Sequence, residues 1–563
     1  MSRALVTLVN PNKIHPPVTP YALDILTSSL ERNNFDVEVV DLTFSRESWR
    51  NVLADYFPAR GPLLVGVTIR NTDTIYPQEQ RVFLGEHREV IEEIKRLTVA
   101  PIVVGGVGFS SMPFAAMDYL DVPYGVKGPG EVILCQLADA LLSGTDPGLL
   151  PGLIINHGNG RIERVPAPGV PDGRTVLERA GHQEGRGWQV DLAGPYIRRS
   201  GQPFKVDNAE YYRRGGLGNI LTKNGCTFAC SHCVEPDAKG SQFARRTVGA
   251  VADEVEILVS QGVYDLHTTD SEFNLAVANS KAILKEIIRR RDRDPASPLR
   301  SLRLWVYVQP APFDEEMAGL LGEIGGGVNV GLDHVRDHLL NGWKVAGKGS
   351  RFYQFDDVVN LVDLTRKYGL PCMVEALLGM PGETLDTVRD CIDRTMALNA
   401  TVVGFTLGLR IFPYSPLGLR CAALSDGQRA VPGIQSNTAT RPIILRQPQQ
   451  CPSPVAYERQ FMFEEPGRFR PLFYFSPDLP ERPEDIGRPD GRWLNTLRFM
   501  WDYIPPSEYP RVMLPTVPGL SRHDNNYADN PFLLRLVQQG YKGAFWSRWR
   551  DRERIMREAR PGG

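Results

Sequence analysis

The sequence predicts an α/β protein made of two successive parallel-sheet units and an irregular C-terminal region. Short apolar runs alternate with helix-like segments from residue 4 to 143, and a second series of the same kind covers about 215 to 410. This periodicity breaks down after Pro416. Strands and helices that alternate at such spacing favour right-handed crossovers in a parallel sheet, with the ligand site at the carboxyl ends of the strands.

The first unit is predicted to contain five strands, at residues 4–9, 37–42, 63–69, 102–104 and 124–126. The intervening helices are predicted at about 20–33, 46–58, 80–97 and 131–143, the first with Thr19 as its N-cap. The turn Asn10-Pro11-Asn12 after the first strand lacks glycine, which disfavours NAD. Glycines follow the fourth and fifth strands instead, where they let the backbone approach a broad, flat ligand, although ordinary βα turns also use glycine.

The composition excludes several classes of function. Lys and Arg number 64 against 66 Asp and Glu, and a formal charge of -2 argues against a protein that binds nucleic acid by neutralising phosphates. No apolar run approaches the roughly 18 residues of a membrane span, and the N-terminal run is too short for a signal peptide. We therefore expect a cytoplasmic protein with a small-molecule substrate, in which the eight cysteines are not a disulfide framework.

Three cysteines have a spacing that indicates metal chemistry. Cys226, Cys230 and Cys233 form C-x3-C-x2-C directly after a strand-like run. Three thiolates on one loop suit three irons of a [4Fe-4S] cluster and leave the fourth iron open. A structural zinc site requires four ligands. Zinc with His232 as the fourth ligand stays the alternative, although His232 adjoins Cys233 and is expected to point away from the thiolates.

This cysteine motif resembles that of radical S-adenosylmethionine (SAM) enzymes, and the segment Gly379-Met380-Pro381-Gly382-Glu383-Thr384 resembles a turn frequent in one large group of them. The resemblance implies a partial (β/α)6 radical SAM barrel at 215–415, with SAM and the cluster at the carboxyl ends of its strands. A glycine-rich α/β unit before such a barrel is similar to the Rossmann-like domain of cobalamin-dependent radical SAM enzymes. The implied organisation is a cobalamin-binding domain at 1–160, a linker at 161–214, the barrel, and an irregular α+β cap at 416–563.

The resemblance also assigns cofactor contacts. The recurrent G-G and G-x-G-E turns of cobalamin domains match five residues here, and we add three further contacts around the same sheet edge. The full set is Gly105, Gly106, Gly128, Gly130 and Glu131, with Gly108, Asn10 and Thr19. For SAM, the implied contacts are Gln309, at the end of a barrel strand, and Asp333, where many relatives have glutamate.

Two residues depart from the usual pattern of such enzymes. The D-x-H-x-x-G histidine that ligates cobalt is absent, and Arg70 ends the third strand. A guanidinium cannot coordinate cobalt, so Arg70 beneath the corrin would destabilise six-coordinate methylcobalamin and ease loss of its methyl as a cation. Glu272 follows the second barrel strand, where it would either bind the SAM ammonium or occupy the open iron and suppress reductive cleavage of SAM. A surface salt bridge for Arg70 and a helix-start glutamate for Glu272 are the alternatives.

With these features, the chain most resembles the tryptophan 2-C-methyltransferase family of thiopeptide-antibiotic biosynthesis. The resemblance implies that SAM methylates cob(I)alamin and that methylcobalamin then methylates C2 of the tryptophan indole, both by polar transfer, with an electron donor as partner. Tyr307 is the candidate base for the indole N–H by strand position, although a packing tyrosine fits as well. The open alternatives are a 5′-deoxyadenosyl-radical mechanism on another small substrate and a non-catalytic corrinoid- or zinc-binding protein.

The C-terminal region is rich in Pro, Gly and Arg and reads as long loops around short elements. Its dense aromatics predict a small hydrophobic core of their own, and Phe545 to Ala559 predicts an exposed helix because Arg alternates there with Asp and Glu.

Overall fold

Two seven-stranded sheets organise the chain, and the predicted α/β class is confirmed. The computed structural model describes residues 3–77, 81–166, 196, 205–241, 243–343, 353–436, 442–465, 468–485, 491–515 and 529–558. Most of the predicted linker lies outside these residues, and the domain boundaries stay predictions.

The N-terminal sheet has the strand order β2-β1-β3-β4-β5-β6-β7. Its strands are β1 Leu5–Asn10, β2 Asp36–Asp41, β3 Leu64–Thr68, β4 Ile102–Gly105, β5 Tyr124–Val126, β6 Leu153–Asn156 and β7 Ile162–Arg164. Its helices are Tyr21–Arg32, Trp49–Tyr56, Phe83–Leu97, Val107–Ser111, Pro113–Leu120 and Glu131–Ser143. The first five strands run parallel as predicted, whereas β6 and β7 add antiparallel strands that the alternating pattern did not predict.

The first helix begins differently from the prediction. Pro20, and not Thr19, occupies the N-cap position, and no side chain caps the helix. The Thr19 hydroxyl instead donates a hydrogen bond of 2.9 Å to the carbonyl oxygen of Leu217, which lies just before the first barrel strand. The Thr19 hydroxyl therefore binds a loop that is distant in sequence and does not provide the helix cap that the local sequence predicts.

The second sheet is wholly parallel, with the order β21-β15-β14-β13-β12-β11-β8. Its strands are β8 Gly218–Ile220, β11 Asp265–Thr268, β12 Arg303–Val308, β13 Gly326–Asp333, β14 Cys372–Leu378, β15 Val402–Leu407 and β21 Val512–Met513. Its helices are Val248–Ser260, Val277–Arg293, Glu315–Ile324, Asp337–Trp343, Phe355–Lys367 and Leu385–Ala397. Six strands match the predicted barrel, and a seventh joins it from the C-terminal region.

The remaining elements are short. They comprise β9 Lys223–Asn224, β10 Ala244–Arg245, β16 Leu409–Arg410, β17 Ile434–Gln435, β18 Phe463–Glu465, β19 Arg468–Phe469 and β20 Phe473–Tyr474. The other α-helices are Asn208–Arg213, Glu235–Lys239, Pro416–Ser425, Pro454–Arg459, Gly491–Tyr503, Pro531–Gln538 and Arg552–Arg557. The 3-10 helices are Phe57–Ala59, Pro147–Leu149, Phe273–Ala276, Pro298–Ser301, Pro448–Gln450, Pro483–Asp485, Pro506–Arg511 and Phe545–Asp551.

Alternation along the barrel strands separates two environments. Val306 and Val308 of β12 lie in the hydrophobic core between the sheet and its helices. Side chains alternate across a strand, so Trp305, Tyr307 and Gln309 face the barrel interior. The register of the sheet therefore determines which polar residues of neighbouring strands lie side by side on this inner face.

The C-terminal region corrects two predictions. Its aromatics do not form a separate core, because they join different neighbours: Phe461 packs with the N-terminal sheet and Phe475 with the barrel core. The segment after Phe545 is not exposed, since Trp546 and Trp549 are buried against the lower end of the barrel. The charged residues of this segment lie mainly on its outer face. Its tryptophans pack on apolar residues of the barrel strands.

Among the described residues, no helix has the length and apolar character needed to cross a membrane.

We expect Gly108→Ala to lower the melting temperature. A Cβ at Gly108 would lie 2.8 Å from both Cα and N of Asn71, so the backbone that carries Arg70 must shift, at a cost of about 1–3 kcal/mol. Thermal unfolding monitored by circular dichroism tests this. Gly61→Ala, where a Cβ meets nothing within 4 Å, is the control, and equal melting temperatures for the two variants would refute the packing argument.

Candidate active site

The cysteine loop follows β9 and is largely buried. Cys226 and Cys230 are buried and Cys233 is partly so, and the Cys226 N–H donates to the carbonyl oxygen of Gly240 at 3.0 Å. Burial raises the thiol pKa of Cys226 and Cys233, and the neighbouring charge of Glu235 raises both further. Such thiols become thiolates readily only when a cation binds them.

The cysteine loop carries the ligand set of an iron–sulfur cluster. In a [4Fe-4S] cluster, each thiolate binds a different iron. Three thiols carried by one short loop are therefore compatible with a cluster at Cys226, Cys230 and Cys233.

Glu272 lies beside this loop. Its Oε1 accepts a hydrogen bond of 2.7 Å from Nε2 of Gln309. Its charge contributes to raising the pKa of the Cys226 thiol and of the Tyr353 hydroxyl, both after the larger effect of burial. Gln309 is itself fixed by Asn274, whose Oδ1 accepts from the Gln309 N–H at 2.9 Å and whose Nδ2 donates to the Gln309 carbonyl at 2.8 Å. The structure thus brings the predicted Glu272 and Gln309 together next to the cysteines.

A buried cation binds the backbone of the turn that carries Glu272. The Lys223 side chain is fully buried, its ammonium donates to the backbone carbonyl of Glu272, and its Nζ lies 3.7 Å from Oδ2 of Asp270. The other oxygen of Asp270 accepts from the N–H groups of Thr222 at 2.8 Å and Lys223 at 3.2 Å. Lys223 and Asp270 therefore join the strand before the cysteine loop to the turn that carries Glu272.

Asp333 ends β13 in the left-handed region, with φ of 57°. The next residue, His334, is fully buried, and its Nε2 lies 3.2 Å from Oε1 of Glu383 in the G-Φ-P-G-E-T turn. Oε2 of Glu383 accepts from the N–H of Met380 at 2.9 Å. Glu383 thus fixes its own turn and the neighbouring strand end, and the SAM contact predicted for Asp333 stays a prediction.

Arg70 lies at the carboxyl edge of the N-terminal sheet, on the side that faces the barrel. It is exposed, and its Nη1 donates to Oδ1 of Asn71 at 2.9 Å. Its charge, after burial, helps lower the pKa of His267 in the barrel to about 4. The carboxyl edge of one sheet and the inner face of the other therefore face the same space.

Tyr307 contacts this space as well. It is 41% exposed although it lies in the middle of a central strand. Its ring makes an edge-on contact with His267 at 5.2 Å between centroids. A packing tyrosine in a closed core would be buried, so its exposure indicates an open volume inside the barrel.

The predicted cobalamin contacts divide into two groups. Gly106, with φ of 105°, and Gly108 approach the backbone of residues 69–71, because a Cβ at Gly106 would lie 2.6 Å from the Ile69 oxygen. Gly128, Gly130 and Glu131 form the turn into the helix after β5, and Gly105 ends β4. The close approach at 106 and 108 is thus to the loop bearing Arg70.

Asn10 and Thr19 have protein partners. The Asn10 amide donates to Oδ1 of Asp41 and to the Tyr211 hydroxyl, both at 3.0 Å. The carbonyl oxygen of Thr19 accepts from Nδ2 of Asn219 at 2.9 Å. Their assignment as cofactor contacts stays a prediction.

Buried ion pairs join the two sheets. Arg410 lies 3.1 Å from Asp73, in the loop after Arg70, and both side chains are almost fully buried. Lys127, just after β5, lies 2.7 Å from Asp237 behind the cysteine loop. These contacts set the distance between the sheet edge and the cluster loop.

Sequence reasoning missed several residues of this site, among them Lys223, His267, Asp270 and Asn274. A charged residue inside an apolar strand is a usable signal, since a buried charge needs a partner. Their partners lie 35 to 49 positions away in the chain. The sequence could not predict which residues pair, because the pairing depends on how the strands are arranged in the sheet.

We expect Lys223→Met to destabilise the protein by about 3–5 kcal/mol, since it leaves the buried Asp270 carboxylate uncompensated. The double variant Lys223→Met/Asp270→Asn should recover part of this loss. Urea unfolding of the apoprotein, followed by fluorescence, measures both. Lys281→Met, which removes a solvent-accessible pair with Asp314, is the control at about 1 kcal/mol or less, and a Lys223→Met midpoint equal to the control's would contradict the expectation.

Comparisons with known proteins agree with this geometry. A family model described as the radical SAM superfamily matches residues 220–395. The tryptophan 2-C-methyltransferase of Streptomyces laurentii is 56% identical over 99% of this chain and 97% of its own length. The cobalamin-dependent SAM radical enzyme OxsB shares the fold, with a TM-score of 0.53 at 16% identity, over 70% of this chain and 52% of its own.

Two solved structures are much closer. Both are of the radical SAM methyltransferase TsrM from Kitasatospora setae, one with cobalamin and a [4Fe-4S] cluster bound and one with tryptophan substrate and the SAM analogue aza-SAM bound. Each is 57% identical with a TM-score of 0.91, and the matches cover 99% of this chain and 99% and 100% of those chains. Near-complete coverage at this identity confirms the resemblance drawn from the motifs, and the chain belongs to the tryptophan 2-C-methyltransferase family.

Proposed function

We propose that this chain methylates C2 of tryptophan, with SAM as methyl donor, cobalamin as methyl carrier and a [4Fe-4S] cluster on the cysteine loop. The observation that carries the proposal is the placement of three unusual residues around one space. The charge of Arg70 helps lower the pKa of His267, and the Tyr307 ring contacts the His267 ring. Glu272 accepts a hydrogen bond from Gln309, which lies two residues after Tyr307.

Bound cobalamin supplies a methyl carrier that can be reduced, methylated and demethylated at cobalt. The chain's own residues favour the polar form of this chemistry. Arg70 presents a permanent charge at the sheet edge and has no lone pair to donate. Glu272 presents a carboxylate beside the cysteines, where it competes with SAM for the position at which reductive cleavage would begin.

Tyr307 is the proposed proton acceptor. Indole C2 is a poor nucleophile, and removal of the N–H proton as attack develops can contribute about 10²–10⁴-fold. Tyr307 is 41% exposed to the open volume, and its neighbour His267 is neutral at physiological pH because its pKa is lowered to about 4. The Tyr307 oxygen can therefore accept a hydrogen bond from the indole N–H as attack develops, and neutral His267 adds no positive charge that would oppose loss of the proton to solvent.

The decisive experiment is anaerobic turnover of the reconstituted enzyme with methyl-labelled SAM and tryptophan. The polar proposal expects label at C2 of tryptophan without matching formation of 5′-deoxyadenosine. Accumulation of 5′-deoxyadenosine in step with product would instead support the radical mechanism. Stoichiometric zinc, without about four iron and four sulfide, would support the non-catalytic alternative.

We expect Arg70→Met to reduce methylation of tryptophan by at least about 100-fold, because a charged group at the sheet edge is replaced by an apolar one of similar length. Methylated product per enzyme per hour is the measurement. Arg60→Met, which removes an exposed guanidinium paired with Glu38, is the matched control. Equal rates for the two variants would show that the Arg70 charge has no part in the reaction.

We further propose an electron donor that reduces the cluster and the corrinoid, and action on free tryptophan in the cytoplasm. Co-purification of a reductase and turnover supported by it in place of a chemical reductant test the first point.

A further inference from the structure

The barrel interior carries a carboxylate to which no role has yet been given. Glu375 lies in the middle of β14, and its neighbours Val374 and Ala376 both belong to the core between sheet and helices. Alternation along the strand therefore directs Glu375 into the barrel. A charged residue in this position is uncommon unless a partner compensates it.

The Glu375 side chain is surrounded by glycines and by the side-chain amide of Asn329. Glu375 is flanked in the sheet by Gly331 on β13 and by Gly404 on β15. A Cβ at Gly404 would lie 3.3 Å from Cγ of Glu375, so glycine keeps this carboxylate unobstructed. Burial raises the pKa of Glu375, and a hydrogen bond from Asn329 lowers it; no cationic side chain among the described residues contributes to that pKa.

Asn329 supplies a second acceptor. Its side chain is buried, and its Nδ2 lies 3.8 Å from Sδ of Met373 in addition to its hydrogen bond with Glu375. Its Oδ1 has no hydrogen-bond partner among the described residues. A buried acceptor left without a hydrogen bond is unfavourable, and a bound donor would remove that penalty. Asn329 pairs directly with Tyr307 in the sheet, so this acceptor adjoins the open volume.

Apolar side chains close the barrel interior near Glu375. Trp305 and Met373, which precede Tyr307 and Glu375 by two residues on their strands, pack with Trp546. Gln309 lies in register with Glu375, because Val308 pairs with Val330 and Gly331 pairs with Glu375. A ligand held by Glu375 and Asn329 is thus bounded by this apolar cluster and lies beside Tyr307, which pairs with Asn329.

We propose that Glu375, positioned by Asn329, binds the α-ammonium group of the amino-acid substrate inside the barrel. The inference rests on the proposed function, in which that substrate is tryptophan. An ammonium carries three donors; the carboxylate of Glu375 and the Oδ1 of Asn329 accept two of them. The indole then lies beside Tyr307, which pairs with Asn329 in the sheet.

The experiment compares Glu375→Gln with wild type in the reconstituted holoenzyme. We expect the KM for tryptophan to rise about 10- to 100-fold, the range that corresponds to losing a hydrogen bond to a charged group, with kcat within about threefold and the KM for SAM unchanged. Glu315→Gln, on an outer helix and exposed beside Lys367, is the control and should change none of these values.

A second experiment changes the substrate and not the enzyme, so the proposal can be tested on wild type even if the variant folds poorly. Indole-3-propionate lacks the ammonium, and its KM should exceed that of tryptophan at least 10-fold in wild type but by about threefold or less in Glu375→Gln. An unchanged tryptophan KM in the variant, a rise confined to the KM for SAM, or equal KM values for the two substrates in wild type would each overturn the proposal. Failure of wild type to methylate tryptophan at all would instead overturn the proposed function.

Discussion

The buried ion pair between Asp73 and Arg410 is the contact on which the arrangement of the site depends. Arg410 also donates to the carbonyl oxygens of Ile411 at 2.6 Å and Phe461 at 3.1 Å, so one guanidinium joins the N-terminal sheet, the barrel and the C-terminal region. Removing one partner of such a pair leaves a buried charge unpaired, at about 3–5 kcal/mol. Since Asp73 lies three residues after Arg70, this pair fixes where the Arg70 loop stands relative to the cysteine loop.

The site contains fixed charges at buried positions. Lys223 links Asp270 to the turn that carries Glu272, and Glu375 with Asn329 lies inside the barrel. Charges act over longer distances and more strongly where water is excluded. Glu272 beside the cysteines and Glu375 inside the barrel are therefore two separate carboxylates, one at the cluster loop and one proposed for the amino-acid substrate.

Much of the fold was predictable because its signals are local. Five parallel strands of the first sheet follow from apolar runs separated by helices. The six-stranded barrel was implied by the family resemblance, and the cysteine spacing alone indicated metal chemistry. The antiparallel strands β6 and β7 and the seventh barrel strand, β21, were not predicted, since β21 has two residues and gains its conformation from pairing with β15. The prediction that the segment with Trp546 and Trp549 is exposed was wrong for a related reason. Both tryptophans are buried because they pack on apolar residues of the barrel strands, which lie far away in the sequence.

By itself, the sequence determined the cysteine loop, the succession of strands, and the presence of Arg70, Glu272 and Tyr307 at strand ends or within strands, because each depends on residues close together in the chain. The tertiary structure decided what these residues face. Arg70 and His267 are 197 positions apart in the numbering and influence one another only because two sheets direct their inner surfaces at one space. Such proximity depends on sheet register and on buried pairs between distant segments, and no local pattern encodes it.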